Sequence, residues 1–122
     1  MRFLSLVRIN EKSGLMPSEK LMQDMGKLMD EMTRDGTLVS TAGLRPTKEG
    51  VRVRSRYGKL SITEGPFTES KEVIGGWAIL KADSKEEILR LTTEFMELHR
   101  THWPEFEGEC EVRAIEFQGL GS

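Results

Sequence analysis

The two histidines of the chain, His99 and His102, are the side chains best suited to proton transfer near neutral pH. They are three positions apart, which places them on neighbouring positions of one helix face, and Phe95 makes part of that face apolar. Two imidazoles could hold one substrate, but two nitrogens are too few for a metal site. Glu64 or Glu105 would have to complete such a site, and we predict no metal. A structural interpretation stays open, because histidines near a helix end interact favourably with its dipole.

A carboxylate stands directly before a turn in the segment Glu64-Gly65-Pro66-Phe67. Gly65-Pro66 forces that turn after a strand, and chain geometry alone would explain it. If the turn instead projects Glu64 into an apolar cleft, the carboxyl becomes suited to general acid–base catalysis. The candidate catalytic residues are therefore Glu64, His99 and His102, and the candidate substrate contacts in this segment are Pro66 and Phe67.

Four further positions are candidate substrate contacts: Lys71, Gly75, Gly76 and Trp103. Lys71 either pairs with neighbouring glutamates on a solvated loop or closes a pocket over an anionic substrate. Gly75-Gly76 either permits a bulge or a close backbone approach, or leaves room for a ligand. Trp103, at a helix exit, either covers the core or a dimer interface or walls a pocket. No dinucleotide fingerprint or other organic-cofactor motif is present, so we predict no cofactor.

The elements that must position these residues follow from periodicity and capping. Helices are predicted from Ser18 to the C-terminal cap at Gly36 and from Ser84 to His102. Gly26, inside the first helix, costs up to about 1 kcal/mol relative to Ala, and a close backbone approach would explain it. Strands are predicted at residues 2–9, 37–44, 51–57, 60–63, 77–82 and 110–117, with a loop at 64–76.

This order of strands and helices predicts an α+β fold of the ferredoxin-like type, with two helices on one face of an antiparallel sheet. The other face of the sheet then needs a cover, and a second copy of the chain is the simplest one. We therefore predict a homodimer. Residues 1–118 are predicted to form a single domain, and residues 119–122 a flexible tail.

Residues 64–76 (EGPFTESKEVIGG) resemble the DGPF motif of the YCII-related family. Glu64 stands where that family most often has Asp, which lengthens the side chain by one methylene. The resemblance extends from the first strand to the helix that begins at Asp83-Ser84. It implies a dimeric α/β barrel of ferredoxin-like subunits and a pocket with an acidic residue and a histidine. Neither histidine belongs to the motif, so no family role is assigned to His99 or His102.

Composition narrows the class of protein further. The chain has 122 residues, 18 Lys+Arg and 20 Asp+Glu, and its formal charge of -2 argues against a nucleic-acid or anionic-membrane binder. One cysteine excludes an internal disulfide, and no apolar run approaches the ~20 residues that span a bilayer. We expect a cytoplasmic protein. Two functions stay open: acid–base chemistry of the isomerase or lyase kind on a small molecule, and non-catalytic binding of a metabolite or a protein partner.

Overall fold

The computed structural model describes residues 1–14 and 16–116. The predicted tail at 119–122, the domain end at 118 and Phe117 of the last predicted strand lie outside these residues. The strands are β1 (Arg2–Ile9), β2 (Leu38–Gly43), β3 (Val51–Arg56), β4 (Lys59–Glu64), β5 (Val73–Lys81) and β6 (Gly108–Ala114). The helices are α1 (Glu19–Arg34) and α2 (Lys85–His102).

Four strands form one sheet in the order β2-β5-β1-β6, and every neighbouring pair is antiparallel. β1 is central and pairs with β5 on one side and β6 on the other. This order, with one helix after β1 and one after β5, is the ferredoxin-like arrangement, so the predicted fold class is confirmed.

Both helices begin at the predicted serine caps. The Ser18 hydroxyl accepts from the Leu21 amide at 3.1 Å, and the Ser84 hydroxyl accepts from the Glu87 amide at 3.1 Å. These bonds satisfy amides that have no partner within the helix. The helices pack on one sheet face, where the buried apolar cluster comprises Phe3, Leu28, Met32, Leu80, Ala82, Ile88 and Leu91.

β5 begins at Val73, four residues before the predicted strand. The prediction of a loop through residue 76 was wrong at this end, because Gly75 and Gly76 lie inside the strand. A Cβ on Gly75 would stand 2.7 Å from the Ile9 side chain, and one on Gly76 would stand 3.2 Å from the Ala42 carbonyl. These glycines therefore let neighbouring strands approach closely, beside a register shift between Val7 and Arg8.

Within residues 1–14 and 16–116, no helix covers the second face of the four-stranded sheet. Strand alternation places Leu4, Leu6, Trp77 and Ile79 on it, opposite to buried Phe3 and Leu80. All four side chains are half-buried. We call these four residues the open sheet face.

β3 and β4 form a separate two-stranded hairpin, which we call the arm. Its turn contains Tyr57 and Gly58, both with positive φ, as a tight hairpin turn requires. At its base the Gly65 amide donates to the Gly50 carbonyl at 2.9 Å. Within the described residues, neither helix is long and apolar enough to cross a lipid bilayer.

Candidate functional site

Two adjoining cavities lie beside the C-terminal half of α2. The first, the core cavity, has a volume of about 480 Å³ and lies between the helices and the sheet. The second, the loop cavity, has a volume of about 620 Å³ and lies under the loops that follow β1, β2 and α2. Val7, Ile9, Gly75 and His99 line both, so the two cavities meet at these residues. Volumes of this size suit a small-molecule ligand.

His99 is the titratable residue at the junction, and it is 7% exposed. Its Nδ1 lies 3.1 Å from the Phe95 carbonyl. A carbonyl can only accept, so Nδ1 carries the proton and, in the neutral ring, Nε2 carries the lone pair. Among the described residues Nε2 has no hydrogen-bond partner, and no side-chain nitrogen or oxygen there is both fully buried and unpartnered. Nε2 therefore remains accessible to a molecule in the cavities.

Aromatic rings hold the imidazole in place. The His99 ring centroid lies 4.8 Å from the Phe95 ring and 4.8 Å from the Phe106 ring. Trp103 extends the cluster, since its ring lies 4.9 Å from that of Phe106 and its amide donates to the His99 carbonyl at 2.7 Å. These contacts fix the ring and its tautomer, which is what a proton-transfer group requires.

The core cavity has an apolar wall made by one face of α1. Met22, Met25, Gly26, Met29 and Met32 line it at helical spacing. Methionine side chains are flexible and adapt to ligands of different shape. No atom lies within 4 Å of a Cβ placed on Gly26, so the close backbone approach that we considered for this glycine is absent. The missing side chain adds to the open space of the cavity instead.

The loop cavity is more polar. Three carboxylates, Glu11, Glu105 and Glu107, line it together with Arg45, and the Arg45 guanidinium pairs with Glu49 at 3.0 Å. This balance of charge favours an uncharged or cationic ligand over an anion.

Glu11 also ties together the loops around the site. Its carboxylate accepts from the Thr47 amide at 2.5 Å and from the Thr47 hydroxyl at 2.6 Å. The hydroxyl in turn accepts from the Phe67 amide at 3.2 Å. The hydrogen bonds from Thr47 lower the pKa of the Glu11 carboxyl, so Glu11 is a charged acceptor at neutral pH.

The three candidate catalytic residues are not brought together within one chain. Glu64 is exposed at the end of β4, opposite Val51, and lines neither cavity that His99 lines. His102 Nε2 lies 2.9 Å from Asp24 Oδ2, a polar contact that joins α2 to α1 outside both cavities. A catalytic role for Glu64 and His102 stays a prediction, and the geometry around His99 makes it the strongest of the three candidates.

The residues predicted to contact substrate also lie in different parts of the structure. Gly75 lines both cavities, Gly76 the core cavity and Trp103 the loop cavity. Phe67 is buried under the Arg52 guanidinium, whose carbon lies 3.8 Å from the ring centroid, and lines a third cavity near the base of the arm. Pro66 and Lys71 are exposed and line neither of the cavities at His99.

Two contacts around the site, that of Phe106 with His99 and that of Glu11 with Thr47, were not anticipated from the sequence. Phe106 reaches His99 only because the chain turns back after α2, and Glu11 meets Thr47 across two loops that no local pattern connects. The methionines of α1 are a further set of residues whose place along the core cavity is known only from the structure. Across residues 1–14 and 16–116, no three His, Cys, Asp or Glu side chains form a group that could hold a metal ion.

The fold and the cavities define a ferredoxin-like α+β protein with a histidine at the junction of two cavities. The model of the YCII-related domain matches residues 1–96, and the chain belongs to that family. It is also similar to an uncharacterized protein of Rhizobium meliloti (strain 1021), with 30% identity over 71 residues, or 58% of this chain. The matched region spans 57% of that relative's length.

Among solved structures, the chain is similar to a de novo designed protein, Foldit4. The identity is 16% and the TM-score 0.45, over 95% of this chain and 100% of the designed one. A likeness of this degree carries no argument about function.

Proposed function

We propose that this protein binds a small, uncharged or cationic molecule whose apolar body lies in the core cavity and whose hydrogen-bonding group contacts His99 Nε2. The observation that carries the proposal is the divided role of the imidazole. Nδ1 is committed to the Phe95 carbonyl, while Nε2 is accessible at the point where the apolar and polar cavities meet. A fixed imidazole with an available lone pair is suited to act as a general base.

The chemistry proposed is proton transfer at a carbon next to a carbonyl, as in an isomerase or lyase. In an isomerase, Nε2 takes the proton from the carbon and returns it to the same or a neighbouring position. In a lyase, the group that leaves the neighbouring carbon with its bonding electrons receives the proton from Nε2. In both cases His99 ends each cycle in its starting state. The methionine wall offers the ligand body an apolar surface, and the loop carboxylates favour a neutral or positive end.

A second candidate function is binding without catalysis. The observation that favours it is that no described carboxylate forms an ion pair with His99, so the imidazole has no acidic residue to assist it. In that case Nε2 only receives a hydrogen bond from the ligand, and the cavity stores or senses the molecule.

The test is a thermal-shift screen of the purified protein with neutral lactones, phenols and amines, followed by solvent deuterium exchange at the α-carbon of each lactone that binds. A ligand at 100 times its dissociation constant adds ~2.7 kcal/mol to the stability of the folded state, which the melting temperature reports. We expect His99→Asn to abolish the exchange and weaken binding, because Asn retains a donor near Nδ1 but has no counterpart of Nε2.

The matched control is His102→Asn, which alters the other histidine of the same helix outside the cavities. We expect it to bind and exchange as the wild type does, whereas loss of exchange in His102→Asn would support the catalytic role that the sequence predicts for His102. Binding without exchange would select the non-catalytic function, and wild-type behaviour of His99→Asn would refute the role of Nε2. Glu64→Gln, tested in parallel, decides whether the acidic residue of the motif takes part.

We also propose a homodimer in which a second copy covers the open sheet face, as in a dimeric α/β barrel. The open sheet face supports this proposal, because burial of its four half-buried apolar side chains against a second copy would remove them from water. The lone Cys110 thiol is partly buried against Met96, which fits a protein of the reducing cytoplasm.

A further inference from the structure

We propose that the arm is an intermolecular clamp: the apolar face of the arm of one protomer packs on the open sheet face of a second copy of this chain. The inference rests on the homodimer proposed above and adds the arm of each protomer to the cover that the partner provides for the open sheet face. It is independent of the ligand and of His99.

One face of the arm is apolar and exposed to solvent. The register places Val53 opposite Ile62 and Ser55 opposite Leu60, so these side chains share a face. The exposed fractions are 63% for Val53, 72% for Ile62 and 74% for Leu60. Val51 on the same face is 58% exposed, and Tyr57 in the turn is 93% exposed.

The opposite face of the arm is polar and already has partners near the base. Arg52 stacks on Phe67 and forms an ion pair with Glu69 at 2.9 Å, and Arg54 and Arg56 alternate with the apolar positions. The contacts that tie the arm to its own chain thus start from its base, at Gly65 and Arg52. A two-stranded hairpin without a packed face is marginally stable in water. We therefore expect a partner surface to bury the apolar face and stabilise the arm.

The size of the apolar surface fits an interface between two copies. Five large side chains, each more than half exposed, present roughly 600 Å² on the arm alone, which is at the upper end of the ~300–600 Å² that the largest apolar patch of a monomer covers. A two-fold arrangement uses two such arms and the two surfaces that receive them, which reaches the ~1,200–2,000 Å² of a specific interface.

The receiving surface is present on the same chain. Leu4 and Leu6 of β1 face Ile79 and Trp77 of β5, which makes an apolar strip along the middle of the open sheet face. A chain that carries both an apolar arm and an apolar strip is self-complementary, as a two-fold dimer requires. The net charge of -2 adds little repulsion between copies.

The first experiment compares Ile62→Lys with Ser61→Lys by light scattering after size-exclusion chromatography over a dilution series. The two positions are neighbours on β4, both are exposed, and they lie on opposite faces of the arm. We expect Ile62→Lys to weaken the dimer about tenfold or more and Ser61→Lys to leave it unchanged. Equal dimerisation of the two variants would overturn the clamp.

The second experiment places a photo-crosslinking phenylalanine analogue at position 62 in protein made from equal parts of ¹⁴N- and ¹⁵N-labelled chains. We expect cross-links between differently labelled chains, mapped to peptides of β1 or β5. Cross-links confined to one chain, or to another surface of the partner, would overturn the proposal. A wild-type monomer would overturn both the clamp and the homodimer, whereas a dimer that survives Ile62→Lys would overturn the clamp alone.

Discussion

Gly65 and Gly50 face each other at the base of the arm, but only Gly65 excludes a side chain. A Cβ on Gly65 would stand 1.6 Å from the Thr47 carbonyl oxygen, whereas one on Gly50 would stand 3.4 Å from the same atom. The obstacle is backbone, which cannot rotate away as a flexible side chain can. At the residue scale, this glycine of the motif therefore has a structural role, whatever chemistry Glu64 performs.

We expect Gly65→Ala to lower the free energy of unfolding by about 1–3 kcal/mol, because the methyl group forces the Thr47 backbone to move. Gly50→Ala is the matched control and should change stability by much less. Urea unfolding followed by circular dichroism measures both. Equal losses for the two variants would contradict a specific clash with Thr47.

Gly26 shows the reverse case, a glycine with empty space beside it. We expect Gly26→Ala to raise the free energy of unfolding by up to about 1 kcal/mol, because Ala is the better helix former and the methyl group meets no atom within 4 Å. The same methyl group narrows the core cavity, so ligands found in the thermal-shift screen should bind more weakly. Lys27→Ala, at an exposed position of the same helix outside the core cavity, is the control for a change in helix propensity. Unchanged affinity in Gly26→Ala would show that ligands bind elsewhere.

At the scale of the elements, α1 and α2 are joined by a polar contact outside the core. Asp24 of α1 accepts from Lys20 at 3.0 Å and pairs with His102 at the end of α2. The hydrogen bond from Lys20, with the charge of His102 adding to it, lowers the pKa of the Asp24 carboxyl. The Ser18 hydroxyl donates to the His102 carbonyl at 3.0 Å, so the start of α1 and the end of α2 are held together twice.

A lowered carboxyl pKa gives stability that is present above the ordinary pKa of an aspartate and is lost as the pH falls through the lowered value. We therefore expect Asp24→Asn to reduce the melting temperature at neutral pH, modestly because the group is near solvent. The difference from wild type should shrink in acid, as the wild-type carboxyl becomes protonated. Asp30→Asn, on the exposed surface of the same helix, is the control. A difference that is constant with pH would contradict this role.

At the scale of the whole molecule, capping residues and hydrophobic periodicity predicted the helices and the order of the strands along the chain. Ser18 and Ser84 predict the starts of their helices, because each caps an amide only three positions further along the chain. The start of β5 was missed because Gly75-Gly76 is typical of a loop, and only Ile9 and Ala42, distant in sequence, show why glycine occupies a strand here. The surroundings of His99 were predictable as far as Phe95, one helical turn away. Phe106 and the two cavities depend on tertiary packing, which no local pattern contains.

The single hydrogen bond between Gly50 and Gly65 has an evolutionary consequence. The chain leaves the body of the fold and returns to it at one point, so residues 51–64 form an insertion that the four-stranded sheet does not need for its own pairing. Changes in the length or sequence of this insertion leave the order of the sheet intact. The residues that line the two cavities at His99 all lie outside this stretch, so a change of partner surface on the arm need not alter the cavities.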